Sequence, residues 1–246
     1  MSLPIIVCYL KGVKNKTMNH HDELTKRISL VRRDLGNLLF HFTRKPEHDI
    51  EVIHGTRKTI MGSHASSVLH KILMEGKILG SSYWIRGGYK CVCFSESPIT
   101  ELAAIFSLTK IAANKNERPR YEPFGIAVTK EWLFSKGGRP VIYQPESEFE
   151  LLHEKIRYRH VRYEIDRGID YTWEREWRIQ TDELVLEPKK TLVIVPTADD
   201  AYDITYGYSE PEPDCFGSDG IPMGVYHKPK WMAVSLDLFG LHETEY

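Results

Sequence analysis

Apolar residues recur along this chain in short runs, and the spacing within each run predicts its element. Residues 38–43 (LLFHFT) read as a buried strand. From Ser63, apolar positions at Val68, Leu69, Ile72 and Leu73 follow helical spacing, which Gly76 and Gly80 end. Residues 89–94 (YKCVCF) are rich in strand formers, Ser95 to Pro98 punctuates them, and a helix is predicted over 99–113. Further strands are expected at 124–128, 140–143, 172–180, 191–195 and 231–236, with a helix near 148–159. At the start, residues 3–10 read as an edge or first strand, and Asn19 caps a helix that carries Asp22 and Glu23 in its first turn, runs to about residue 34 and stops at Gly36. Between these elements, 44–62 is a polar loop in which 50–53 can pair briefly, 115–120 is a basic loop, and the acidic, Pro- and Gly-rich stretch 209–220 is a mobile surface loop. Helices cluster early and strands late, so the expectation is one α+β domain over 1–246, with an N-terminal extension (1–37), a core (38–180) and C-terminal strands with the acidic loop (181–246).

Composition narrows the class. A hydrophobic content of 41% over 246 residues fits a folded domain and excludes disorder. No apolar run is long enough for a membrane span, and residues 3–10 lack the basic start and cleavage site of a signal peptide. Of the four cysteines, Cys8, Cys91, Cys93 and Cys215, only Cys91 and Cys93 are close in sequence, which is neither a disulfide framework nor a zinc pattern; a reducing cytoplasm is the expected location. The net charge of −1 conceals an asymmetry: residues 1–120 hold 19 Lys+Arg against 10 Asp+Glu, and the rest of the chain is correspondingly acidic. Either the basic half faces a polyanion, or the halves neutralise each other in the fold.

Phosphate-cradling loops, dinucleotide turns, nucleophile elbows and zinc-protease helices are absent from the sequence. His20, His21, Asp22 and Glu23 are a possible ligand group, but a solvated helix N-terminus explains them better. Three segments carry the chemistry. In residues 40–43, alternation puts His41 and Thr43 on one strand face and Phe40 and Phe42 on the other; a hydrogen-bonded core histidine is the plain alternative. In residues 92–98 a strand ends in Ser95-Glu96-Ser97, which also suits a helix cap. Residues 171–180 (YTWEREWRIQ), taken as one strand, place Glu174, Glu176 and Arg178 on one face. Like charges two residues apart repel, so the pair needs an arginine, a ligand or a reaction to justify it. Arg178 offers the structural explanation, a surface ladder with Glu176.

Taken in order, the His-x-Thr strand, the Phe-Ser-x-Ser strand end and the late Glu-x-Glu resemble the mono-ADP-ribosyltransferase fold. Residues 38–43, 72–78 (ILMEGKI), 92–97 (VCFSES) and 174–178 (EREWR) are similar to AbiGi-type abortive-infection proteins, and the early part is similar to DarT-like toxins. The resemblance implies a split, bent, mixed or antiparallel β core with flanking helices, holding NAD⁺ in a cleft. It also implies a bacterial phage-defence or toxin–antitoxin enzyme, with NAD⁺ as substrate, RNA or DNA as the favoured acceptor and an antitoxin protein as a possible partner. On this resemblance Glu176 holds the ribose 2′-hydroxyl and Glu174 orients or deprotonates the acceptor. His41 and Thr43 contact a ribose or the nicotinamide amide, and Ser95 supports the glutamate. Phe94, Tyr83 or Tyr143 stacks on nicotinamide, and Arg44, Arg86 or Arg139 takes the pyrophosphate. No metal is implied. Trp84 and Tyr121 either stack an acceptor base or pack into the core. NAD⁺ hydrolysis and a non-catalytic immunity or binding module are the rival expectations.

Overall fold

The computed structural model describes residues 36–54, 57–102, 122–216, 218 and 220–239, and Gly36–Tyr246 forms one compact unit. The strand and helix expected over 3–34, most of the helix over 99–113 and the basic loop at 115–120 lie outside the described residues.

Seven strands make the central sheet: β1 (Leu38–Phe42), β5 (Cys91–Ser95), β6 (Gly125–Thr129), β7 (Arg139–Pro140), β10 (Glu176–Gln180), β12 (Thr191–Val195) and β15 (Met232–Ser235). Their spatial order is β15-β12-β6-β1-β5-β10-β7. Neighbours are antiparallel except β12 and β15, so the sheet is mixed. Four short two-stranded pairs surround it: β2 (Ile50–His54) with β3 (Arg57–Met61), β4 (Lys77–Leu79) with β11 (Glu183–Val185), β8 (Ile142–Gln144) with β9 (His160–Arg162), and β13 (Ser209–Phe216) with β14 (Pro222–Pro229). Among the described residues the helices are few: α1 (Ala65–Glu75), α2 (Lys130–Ser135) and α3 (Ala198–Gly207). This is an α+β fold, as the element pattern predicts, and its central sheet is mixed.

Both faces of the sheet are buried, and strand alternation sorts the residues between them. On one face Leu39, Phe94, Ile126, Val128, Trp177 and Val193 meet Leu69, Ile72 and Leu73 of α1, Leu133 of α2 and Ile204 of α3. On the other, Phe40, Ala127 and Ile194 pack with Leu102 and Leu236, and Phe40 lies 6.0 Å from Phe42. Gly125 lets β6 approach β1 closely, since a Cβ there would sit 2.4 Å from the His41 carbonyl oxygen.

The glycine stop after α1 takes the expected form: Gly76 adopts φ 67°, the left-handed cap conformation, and its N–H donates to Ile72 O. Helix α3 was not foreseen in so polar a segment. It starts at a reciprocal capping box in which the Thr197 Oγ1 accepts from Asp200 N at 3.1 Å and the Asp200 carboxylate accepts from Thr197 N at 3.2 Å. Thr197→Ala is expected to cost about 1 kcal/mol, read as a shift in the urea midpoint at unchanged slope.

Three expectations are corrected. Residues 148–159 do not form an α-helix; two 3₁₀ segments, Glu146–Leu151 and Glu154–Arg159, are separated by extended backbone at Leu152 and His153. Residues 209–216 are not a loop but one arm of the β13–β14 hairpin. Residues 172–180 are not one strand, because Thr172–Glu174 turns, Arg175 adopts φ 45° and ψ 50°, and pairing begins only at Glu176.

Candidate functional site

Side-chain hydrogen bonds pull residues 172–175 out of the sheet. The Asp170 carboxylate accepts from Thr172 N at 2.8 Å and Thr172 Oγ1 at 2.6 Å, which starts the turn. From the end of β5, Ser95 Oγ donates to Glu174 O at 2.6 Å and Ser97 Oγ donates to Trp173 O. Glu96 N donates to Arg175 O at 3.2 Å, so three consecutive residues of one segment brace three consecutive carbonyls of the other. Glu96 is itself fixed: its carboxylate accepts from Trp177 Nε1 at 2.7 Å and pairs with Lys130 Nζ. The two serines were legible as an i, i+2 pair; their partners, 79 and 76 residues away, were not.

Glu176 then opens β10 directly opposite Ser95. Arg178, on the same face, grips its carboxylate with both arms of the guanidinium, Nε to Oε1 at 2.7 Å and Nη2 to Oε2 at 3.0 Å. Its remaining arm, Nη1, donates to Tyr158 O and His160 O, both at 2.9 Å. The side chains of Arg178 and Glu176 are 6% and 11% exposed. The expected surface ladder is therefore a buried, forked ion pair, a different energetic object. Glu174 is buried as well. Tyr143, beside this pair, accepts from Glu176 N at 3.1 Å, and burial pushes its hydroxyl up to about 12, so it stays protonated at neutral pH.

Cys91 and Cys93 share the Glu176 face. Burial raises Cys91 to about 11; burial and then the Glu176 carboxylate hold Cys93 well above its ordinary range. Neither supplies a thiolate nucleophile near neutral pH.

The sheet separates His41 and Phe94 from this group, whereas Arg139 sits opposite Arg178 in the register. The register sets Phe40 opposite Ser95, so His41 lies across from Phe94 on the other face, with ring centroids 5.6 Å apart. His41 Nδ1 lies 2.8 Å from Cys93 O, which fixes the proton on Nδ1, and burial, only partly offset by this bond, lowers the imidazole pKa. His41 is thus a neutral ring with no partner for Nε2 among the described residues. Thr43 lies beyond the end of β1 and is buried, its hydroxyl 2.9 Å from both Ala65 O and Phe124 O, so it ties β1 to the start of α1 and to the residue before β6. Arg86 pairs with Glu146 and lies 4.8 Å over the Phe149 ring, and Arg139 donates to Phe134 O and Gly138 O. Arg44 has a different setting, 5.3 Å over the Tyr83 ring. Trp84, for which core packing was one expectation, is 81% exposed; Tyr121 lies outside the described residues.

The structure therefore brings Glu174, Glu176 and Ser95 together and adds Arg178 and Tyr143 to them, while His41, Phe94 and Thr43 belong to other surroundings. Compared with protein-family models, with curated proteins and with solved structures, the chain matches none. Among the described residues no helix is long and apolar enough to cross a membrane.

Proposed function

We propose that this chain is an NAD⁺-dependent mono-ADP-ribosyltransferase of a bacterial defence or toxin–antitoxin system, acting on a macromolecule, with nucleic acid favoured. One observation carries the reading. Glu174-Arg175-Glu176 forms a braced turn into the central sheet, with Glu176 oriented by Arg178 and the turn's carbonyls held by Ser95, Glu96 and Ser97. Breaking the bond between C1′ of the ribose and nicotinamide builds positive charge on the sugar, and a fixed carboxylate stabilises that charge without reorganising. The bonding pair leaves with nicotinamide, an acceptor oxygen or nitrogen bonds to C1′, and the acceptor's proton passes to Glu174 and then to solvent. In this scheme Glu176 steadies the ribose through lone pairs that Arg178 leaves available, and Tyr143 keeps the Glu176 backbone in place.

The same fork favours a second reading. Arg178 satisfies both carboxylate oxygens by itself, as in a purely structural pair, and the chain would then be a non-catalytic binding or immunity module.

Adenylate-labelled NAD⁺ incubated with the purified chain and separate RNA, DNA and protein pools decides between them. The expected result is label in one pool, reduced about 10²–10⁴-fold in Glu174→Gln, the scale of losing one positioned general base. Release of free ADP-ribose with no labelled pool would identify a glycohydrolase. Intact NAD⁺, with lysate supplied as a source of acceptors, would leave the binding module.

A further inference from the structure

The segment between β4 and β5 presents an unusual surface. Trp84 is 81% exposed and Tyr83 60% exposed, and their rings meet edge to face with centroids 5.1 Å apart. Trp84 also adopts φ 65°, one of only two non-glycine residues with positive φ among those described. A bulky side chain in the left-handed region is strained, and strain held in place by the surroundings is characteristic of working sites. Here the surroundings are firm. Ser81 Oγ accepts from Tyr83 N at 3.1 Å, Ile85 N donates to Ser82 O at 3.0 Å, and Ile85 is buried against Cys91 and Tyr158. The fold thus fixes the backbone on both sides of Trp84 and turns its indole outward, where burial returns nothing.

Beside this pair stands Arg44, its guanidinium 5.3 Å over the Tyr83 ring and with no carboxylate partner among the described residues. Arg86 and Lys90 nearby in sequence are by contrast neutralised, by Glu146 and Asp182. Two solvent-facing aromatic planes beside one unneutralised, planar cation suit a flat base joined to a phosphate. Tyr158, which packs on Ile85, gives its carbonyl to Arg178, so this surface is tied to the sheet face that carries Glu176.

We propose that Tyr83, Trp84 and Arg44 form a docking surface for single-stranded nucleic acid, the aromatic pair stacking bases and Arg44 meeting the backbone. Duplexes are excluded from this mode, because their base faces are already stacked on one another. The proposal deepens the transferase reading by giving its acceptor a place to bind, but it stands or falls without NAD⁺.

The test is fluorescence anisotropy of labelled single-stranded RNA, single-stranded DNA and the matching duplex with the full chain, no NAD⁺ present. Single strands should bind more tightly than duplex. Trp84→Ala should weaken single-strand binding about tenfold, and Trp84→Phe should keep most of it. Arg44→Ala should reduce the slope of log affinity against log salt by about one. Tyr202→Ala, a change at another exposed tyrosine, should leave binding unchanged. The RNA and DNA arms tell which strand is preferred. Equal affinity of Trp84→Ala and the unaltered chain overturns the proposal and leaves Trp84 as an anchor for a protein partner. So does duplex binding as tight as single-strand binding, or no binding of any strand at low salt. Failure of labelled-NAD⁺ transfer with this binding intact would remove the transferase reading alone.

Discussion

Glu176→Ala is expected to lower the free energy of unfolding by about 3–5 kcal/mol, the cost of breaking a buried ion pair from one side. The reason lies in what remains. Arg178 is 5% exposed and stays charged at any accessible pH, so without Glu176 its Nε and Nη2 have no anion, while Nη1 keeps only the carbonyls of Tyr158 and His160. Arg178→Met should cost a similar amount for the mirror-image reason. The double variant Glu176→Ala/Arg178→Met should cost less than either single change, because it removes both desolvation penalties and leaves apolar groups beside Cys93. Urea unfolding of the four proteins closes the cycle. Costs of only about 0.2–1 kcal/mol for each single change would mean a solvent-screened pair, and the buried fork would be wrong.

This expectation bears on any activity measurement. Loss of turnover in Glu176→Ala could come from chemistry or from unfolding, and only the folded fraction tells them apart. Glu174→Gln is the cleaner probe, since its main-chain carbonyl, held by Ser95, is untouched by the change. Glu176→Gln is intermediate: it keeps one acceptor oxygen for Arg178 but removes the charge. A chain that is folded and inactive as Glu174→Gln, with turnover restored by no neighbouring carboxylate, would separate chemistry from architecture.

Where short-range physics decides the structure, the sequence was legible. The runs 38–43, 124–128 and 191–195 became strands within a residue or two, because alternating and β-branched apolar residues buried on both faces have few other solutions. Residues 209–216 misled because Pro211 and Pro213 read as strand breakers. Two residues apart, they turn their donor-less nitrogens to the same side, and among the described strands β13 pairs only with β14, so an edge tolerates both. Long-range partners decided the site. That residues 172–175 turn rather than extend depends on Ser95 and Ser97, and nothing local foretells it. Alternation correctly put Glu176 and Arg178 on one face but could not say that the face is buried. Nor could it say that His41 and Ser95 lie on opposite faces, which follows from the single pairing of Phe40 with Ser95 between β1 and β5.

Trp231 offers a second large effect with a built-in control. It is fully buried in the main core, just ahead of β15, so Trp231→Ala should cost about 3–5 kcal/mol through lost contacts and the cavity left behind. Its Nε1–H, however, is buried with no acceptor among the described residues, a penalty of about 1–3 kcal/mol already carried by the native protein. Trp231→Phe removes that donor and part of the ring together. Its cavity cost should be largely offset, leaving a net loss below about 1.5 kcal/mol, in the range of well-tolerated apolar swaps. The two variants therefore separate packing from polarity at one position. Equal, large losses in both would show that Nε1 is satisfied after all, by an ordered water or by a residue outside those described. A small loss in Trp231→Ala would mean instead that the core between α3 and the β12–β15 edge collapses to fill the space, and that this edge is the softer part of the sheet.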